Sequence, residues 1–253
     1  MATPVRGLYG PAATAFVLQA IGIGLTFWAV FHPEPAWLCG VTLALAPPVA
    51  FGLVAASGGR LSLNSRRDND RPDIVMLCLG PALALGVRAM IDYTVVDWRP
   101  PLTWAAGIGA LFVAAALAVD SREIPSLNRR SAARLPEGLP RLPRVTFVVG
   151  LVMAGLAYGW GLCAGANALL DVAPAVRFTP PVLSVRPSSR LHRSNAITLA
   201  PWGPVRRTQD IDVSEATFGG FAVGAPACVA LRPGALEYRW YKVRPCGAAS
   251  TTP

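Results

Sequence analysis

Polar positions are unevenly spaced along this chain. Five long stretches carry no charged residue: Arg6 to Glu34, Glu34 to Arg60, Asp73 to Arg88, Arg99 to Asp120 and Arg144 to Asp171. A helix needs ~20 apolar residues to cross a hydrocarbon core. The third stretch falls short unless it continues past Arg88, and the others are long enough. The pattern predicts a membrane all-α bundle over residues 1–170, with helices at about 12–31, 36–56, 74–93, 102–119 and 145–170. The first stretch has too long an apolar run for a signal peptide's core and only Arg6 before it, so it is expected to be retained.

After Asp171 the pattern changes. Residues 171–194 are rich in Pro, Ser and Arg and read as a tether, with one edge strand around Val182–Arg186. Residues 195–247 read as a small, mainly β extramembrane domain, and 248–253 as a disordered tail. Ala196–Ala200 is a strand candidate, and Pro201-Trp202-Gly203-Pro204 is a turn. Thr208–Val213 alternates, with Ile211 and Val213 opposite Asp210 and Asp212. Ser214 and Glu215 open a short helical turn. Pro226–Arg232 and Leu236–Val243 are expected to pair as a hairpin around Pro233-Gly234, where glycine accepts the positive φ of a type II turn.

Composition agrees with the membrane reading. Hydrophobic residues make up 53% of the 253 positions and charged residues only 15%, against ~25% in soluble domains. Arginine placement supplies an orientation. The second connection holds Arg60, Arg66, Arg67 and Arg71; the fourth holds Arg122, Arg129, Arg130, Arg134, Arg141 and Arg144. The first has no basic residue and the third only Arg99. Short basic loops stay cytoplasmic, so the amino terminus is expected inside and the carboxyl-terminal domain outside, in the periplasm of a bacterial inner membrane. The net charge of +9 is therefore assigned to topology rather than to nucleic acid. The proline-rich fourth connection, with Pro125, Pro136, Pro140 and Pro143, either lies on anionic headgroups or only sets topology.

Several helix residues are candidates for function. Pro47 and Pro48 in the second helix and Pro81 in the third should kink their helices. Leu45-x-Pro47-x-x-Ala50-x-Gly52 matches Leu79-x-Pro81-x-x-Ala84-x-Gly86, either as a trace of an inverted repeat or as coincidence. Arg88 and Asp92 stand four apart and can pair; the pair is either a structural anchor near the outer end or part of an ion pathway. Gly155-x-x-x-Gly159 and Gly161-x-x-x-Gly165 let helix backbones approach closely, within the bundle or across a dimer. Gln19 and Asn167 are candidates for interhelical hydrogen bonds.

The motif Val223-Gly224-x-Pro226-x-Cys228-Val229, with Arg232-Pro233-Gly234-Ala235-Leu236 and Trp240-Tyr241-x-Val243-x-x-Cys246, resembles a carboxyl-terminal module of uncharacterised bacterial polytopic inner-membrane proteins. The resemblance covers about the last 50 residues and implies architecture, with no assigned activity.

Independently of that resemblance, Cys228 and Cys246 are the strongest chemical candidates. Pairing of the two predicted strands brings them close, and disulfides persist outside the cytoplasm; the alternative is two unpaired thiols. Cys39, Cys78 and Cys163 read as packing residues. His32 and His192 lie in separate segments and read as surface groups. No CxxC, nucleotide-binding glycine loop, HExxH or GxSxG is present. No cofactor or metal is expected, and nothing proposes an enzyme. From Asp171 onward nine Arg and Lys242 outnumber five acids. The sequence therefore favours a non-catalytic envelope scaffold or accessory subunit. Its expected partners are the lipid bilayer and an envelope protein, anionic headgroup or anionic polymer. The alternative is a small transporter or channel using the kinked second and third helices.

Overall fold

A computed structural model of the chain describes residues 11–31, 33–63, 72–121, 144–188 and 195–247. His32, His192, the residues from Arg122 to Pro143 and the 248–253 tail lie outside it, so the readings placed on them have no structural counterpart. The described residues divide into two compact units: the chain up to Asp92 together with Pro101–Gly165, and Tyr93–Pro100 together with the chain from Ala166.

The first unit contains α1 (Pro11–Phe31), α2 (Ala36–Ala56), α3 (Val75–Asp92), α4 (Arg99–Ser121) and most of α5 (Arg144–Leu169). All five are long and apolar enough to cross a membrane. Large apolar side chains lie both inside, as with Leu43, Leu77, Leu85, Phe112, Leu151 and Tyr158, and outside. Buried positions hold Ala15, Gly22, Ala29, Cys39, Ala50, Cys78, Ala82, Ala84, Ala105, Ala116, Ala154 and Cys163. Exposed positions hold Phe16, Phe27, Trp37, Trp104, Leu111, Val149 and Met153. In water, burial of large apolar side chains drives folding. Here close backbone approach at glycines and alanines adds to that burial, and many large apolar groups also stay outside, as expected where lipid replaces water.

Glycines mark the seams. A Cβ on Gly22 would lie 2.5 Å from the backbone of Met76 and Leu77, and one on Gly80 would lie 2.5 Å from Thr26 Oγ1. Positions 22 and 26 of α1 thus meet 76–77 and 80 of α3 in the same order, so these two helices run parallel. Gly109 meets Gly155, and Ala105 meets Gly159; the reversed order makes α4 and α5 antiparallel.

The second unit is a pair of small antiparallel sheets. One has strand order β1-β7-β6-β2, from Thr94–Val95, Trp240–Pro245, Ala227–Arg232 and Val176–Phe178; the other is β3-β4-β5, from Val182–Arg186, Asn195–Leu199 and Gln209–Val213. A four-residue α6, Glu215–Phe218, follows Ser214. Val182, Ile197, Leu199, Trp202, Ile211, Ala227, Val229 and Tyr241 form its buried core. Apart from Trp202, which lies between β4 and β5, they come from strands of both sheets, as sheets packed face to face require.

Two expectations change here. Val182–Arg186 is the strand expected there, whereas residues 176–178 are a further strand rather than tether, because Phe178 is apolar and must be covered. Phe178 packs on Trp202, 5.6 Å between ring centroids, and Pro180 and Pro181, which lack N–H groups, serve as acceptors for Ala227 and Ala200. The hairpin also exists, with Arg232 opposite Trp240, but its second strand starts at 240 rather than 236. Gly234 adopts φ 82°, yet the Ala235 N–H donates to the Asn167 carbonyl instead of closing the turn. The loop is spent on contacts described next.

Candidate functional site

The densest polar constellation among the described residues surrounds Asn167 and Asp171. Asn167 belongs to the last turn of α5 and Asp171 lies two residues past its end, so both project from one side, four residues apart. Asn167 is 1% exposed. Its Nδ2 donates to the Tyr238 carbonyl at 2.7 Å, and its Oδ1 accepts from Leu236 N at 3.0 Å and Tyr238 N at 3.3 Å. One side chain thus substitutes for a missing strand partner along the 236–238 loop. It bonds the hairpin and not a neighbouring helix, contrary to the interhelical expectation.

Asp171 holds the base of the same hairpin. Its Oδ2 accepts from Gly234 N at 2.9 Å and from Trp240 Nε1 at 3.0 Å, and its Oδ1 accepts from Ala173 N at 3.0 Å. Burial alone would raise its pKa. The donors from Ala173, Trp240 and Gly234, with the nearby Arg232 guanidinium, outweigh burial and hold the carboxyl below its ordinary value. Arg232 donates to the carbonyls of Asp171 and Ala173 and lies 5.8 Å from the Trp240 ring centre. Gly234 is required twice: its φ is positive, and an added Cβ would meet the Asn167 amide and lie 2.5 Å from the Tyr238 carbonyl. The sequence reading missed this clamp. The available signal was two short polar side chains, Asn and Asp, four apart where an apolar helix ends.

Tyr93 and β1 complete the unit. β1 pairs Thr94 with Tyr241 and Val95 with Trp240, and the Tyr93 ring meets Trp240 edge-on at 5.6 Å. Burial pushes the Tyr241 phenol up to about 12, partly offset by the hydrogen bond from Gln209 Nε2 at 2.6 Å.

Cys228 and Cys246 are at bonding distance, with sulfurs 2.15 Å apart. They sit at the open end of the β6–β7 pair, where Cys228 faces Arg244. Cys39, Cys78 and Cys163 are free and buried.

In the helical unit, Arg88 and Asp92 form a hydrogen-bonded ion pair in the last turns of α3, with side chains 19% and 28% exposed. Pro47, Pro48 and Pro81 lie inside continuous helices; Pro47 and Pro81 are fully buried. Pro48 cannot donate to the carbonyl four residues back, which is Ala44. That carbonyl accepts instead from Tyr158 Oη of α5 at 2.7 Å, the kind of rescue that apolar surroundings demand. Gln19 Nε2 donates to Asp73 Oδ1 at 2.6 Å, just ahead of α3. Gly155 and Gly159 face α4, Gly161 faces Leu85 of α3, and Gly165 has open space. In the matched Pro motifs, Gly86 abuts Ala157 while Gly52 meets nothing within 4 Å, so the two copies occupy unlike surroundings.

Neither protein-family models, nor curated proteins, nor solved structures give a match to this chain.

Proposed function

We propose that this chain is a multi-pass protein of a bacterial inner membrane, a non-catalytic scaffold or accessory subunit whose outer β unit docks on an anionic envelope component. The observation that carries the reading is the set of five helices long and apolar enough to cross a membrane, whose exposed positions hold many large apolar side chains, which suits lipid as the solvent. The parallel α1–α3 and antiparallel α4–α5 seams fit helices that cross in alternation. The arginine pattern puts the β unit in the periplasm, and the bonded Cys228 and Cys246 fit an oxidising compartment. Asn167 and Asp171 spend their polar atoms on the unit's own backbone and on Trp240, which favours structure over chemistry. Pairing of Arg88 with Asp92 favours an anchor over an ion pathway.

A periplasm-dependent reporter fused after Pro253 is expected to be active, with Cys228 and Cys246 resisting alkylation until reduced. An inactive reporter with freely alkylated cysteines overturns the orientation and the docking role together. Charge exchange separates the roles of the ion pair: Arg88→Asp and Asp92→Arg singly lower the yield of folded protein, and the double exchange restores it. Normal yield of each single variant with lost solute flux would instead establish transport.

A further inference from the structure

We propose that the outward face of the β1-β7-β6-β2 sheet binds the phosphate headgroups of anionic phospholipids, an inference that rests on the membrane reading above. Strand register places the side chains. Cys228 pairs with Arg244, Ala230 with Lys242, and Arg232 with Trp240, while Arg177 pairs with Ala230. The alternate residues Ala227, Val229 and Tyr241 fill the core. Because side chains alternate along a strand, Arg177, Arg232, Lys242 and Arg244 share the opposite face. Arg177, Lys242 and Arg244 are exposed, and none of the strand positions on that face is acidic.

The spacing suits a phosphate. Arg177 and Lys242 flank Ala230 from the two neighbouring strands, two strand spacings or about 10 Å apart. Ala230 is the strand residue between them. The other sheet differs: its outer face carries Asp210 and Asp212 together with Arg186, which pairs with Asp210 at 3.8 Å, while Thr198 donates to Asp210 at 2.6 Å. Positive strand residues are thus concentrated on the β1-β7-β6-β2 face, which complements an anionic surface.

The choice of lipid over a soluble polyanion comes from the aromatic rings. Lys242 Nζ lies 5.8 Å from the ring centres of Tyr93 and of the buried Trp240, and a half-buried Tyr beside a cation, as Tyr93 is, suits a membrane–water interface. Tyr93 directly follows the last residue of α3, and the edge strand β1 begins at Thr94.

The test uses the full chain in neutral detergent, titrated with phosphatidylglycerol or phosphatidylcholine and read by native mass spectrometry. Phosphatidylglycerol is expected to bind more tightly and to weaken as salt rises. Each cation near an anionic surface contributes about fivefold, so the triple variant Arg177→Gln, Lys242→Gln, Arg244→Gln is expected to bind about a hundredfold more weakly. Arg206→Gln with Arg207→Gln, off this face, is the matched control and should bind as the parent does. An unreduced Cys228–Cys246 bond and an unchanged melting transition verify that the triple variant is folded; if it is not, the single variants Arg177→Gln and Arg244→Gln are each read for their expected fivefold loss. Equal binding of the two lipids, or full binding by folded variants, overturns the inference. Binding of polyphosphate without preference between the lipids also overturns it, in favour of a soluble polyanion. An inactive carboxyl-terminal reporter would defeat the periplasmic reading while leaving lipid selectivity in detergent to stand or fall separately.

Discussion

Removing the Asn167 side chain should open the hairpin loop while leaving the strands paired. Asn167→Ala deletes three hydrogen bonds, to Leu236 N, Tyr238 N and the Tyr238 carbonyl, and spares the one from Ala235 N to the Asn167 backbone carbonyl. Leu236 is 44% exposed, so its freed amide rehydrates. The net value of ~1 kcal/mol per bond therefore applies rather than the full penalty of a buried orphan. The sum is ~3 kcal/mol. At about 1.4 kcal/mol per factor of ten, hydrogen exchange across 233–239 should quicken more than a hundredfold. Amides of β4 and β5, which make no contact with Asn167 in this network, should exchange as before, since local opening need not spread. The assay is exchange mass spectrometry of the full chain in micelles. Asn167→Asp keeps the two acceptor contacts and loses the donor to Tyr238, so it should fall between Asn167→Ala and the parent. Exchange of the loop within threefold of the parent in Asn167→Ala would falsify the account.

Four further outcomes follow from the same geometry. Gly22→Leu puts side-chain atoms into the backbone of Met76 and Leu77; overpacking of this kind costs about 1–3 kcal/mol or more, so thermal stability in detergent should fall sharply, whereas Gly24→Leu, which meets nothing within 4 Å, should match the parent. Tyr158→Phe strands the Ala44 carbonyl and should cost about 1 kcal/mol; in a Pro48→Ala background the helix supplies its own N–H, so the cost should shrink, and equal costs in both backgrounds would refute the rescue. Asp171 has a folded pKa below its unfolded value. Its stabilisation is therefore complete above pH ~4 and is lost as pH falls through the folded value, so Asp171→Asn should flatten the acid limb of a melting-temperature profile. Tyr241 is shifted the other way, to about 12; its contribution is present below pH ~10 and disappears between there and pH 12, and Tyr241→Phe should remove that alkaline step.

The five apolar helices and most of the β strands were legible because their patterns are local. A charge-free run fixes a helix by length, and the alternation of Ile211 and Val213 with Asp210 and Asp212 fixes a half-buried strand. The pairing of Cys228 with Cys246 was accessible because one hairpin sets their separation, and a glycine at 234 announced a left-handed position. Strand β1 was not legible, since Thr94-Val95 is too short to show any period. Residues 176–178 were hidden behind prolines and arginines whose composition mimics a linker.

Only the tertiary structure decided which residues meet across long separations. No periodicity links Asn167 to Tyr238, Asp171 to Trp240, or Tyr158 to the carbonyl freed by Pro48. Each of these contacts satisfies a backbone or indole group that local structure leaves unpaired, and buried polar groups must find partners wherever the fold brings them. Sequence alone therefore determined the five helices and most of the strands. The choice of partners was made by three-dimensional proximity, because an unsatisfied group accepts any geometry-competent donor and carries no record of it in its sequence neighbours.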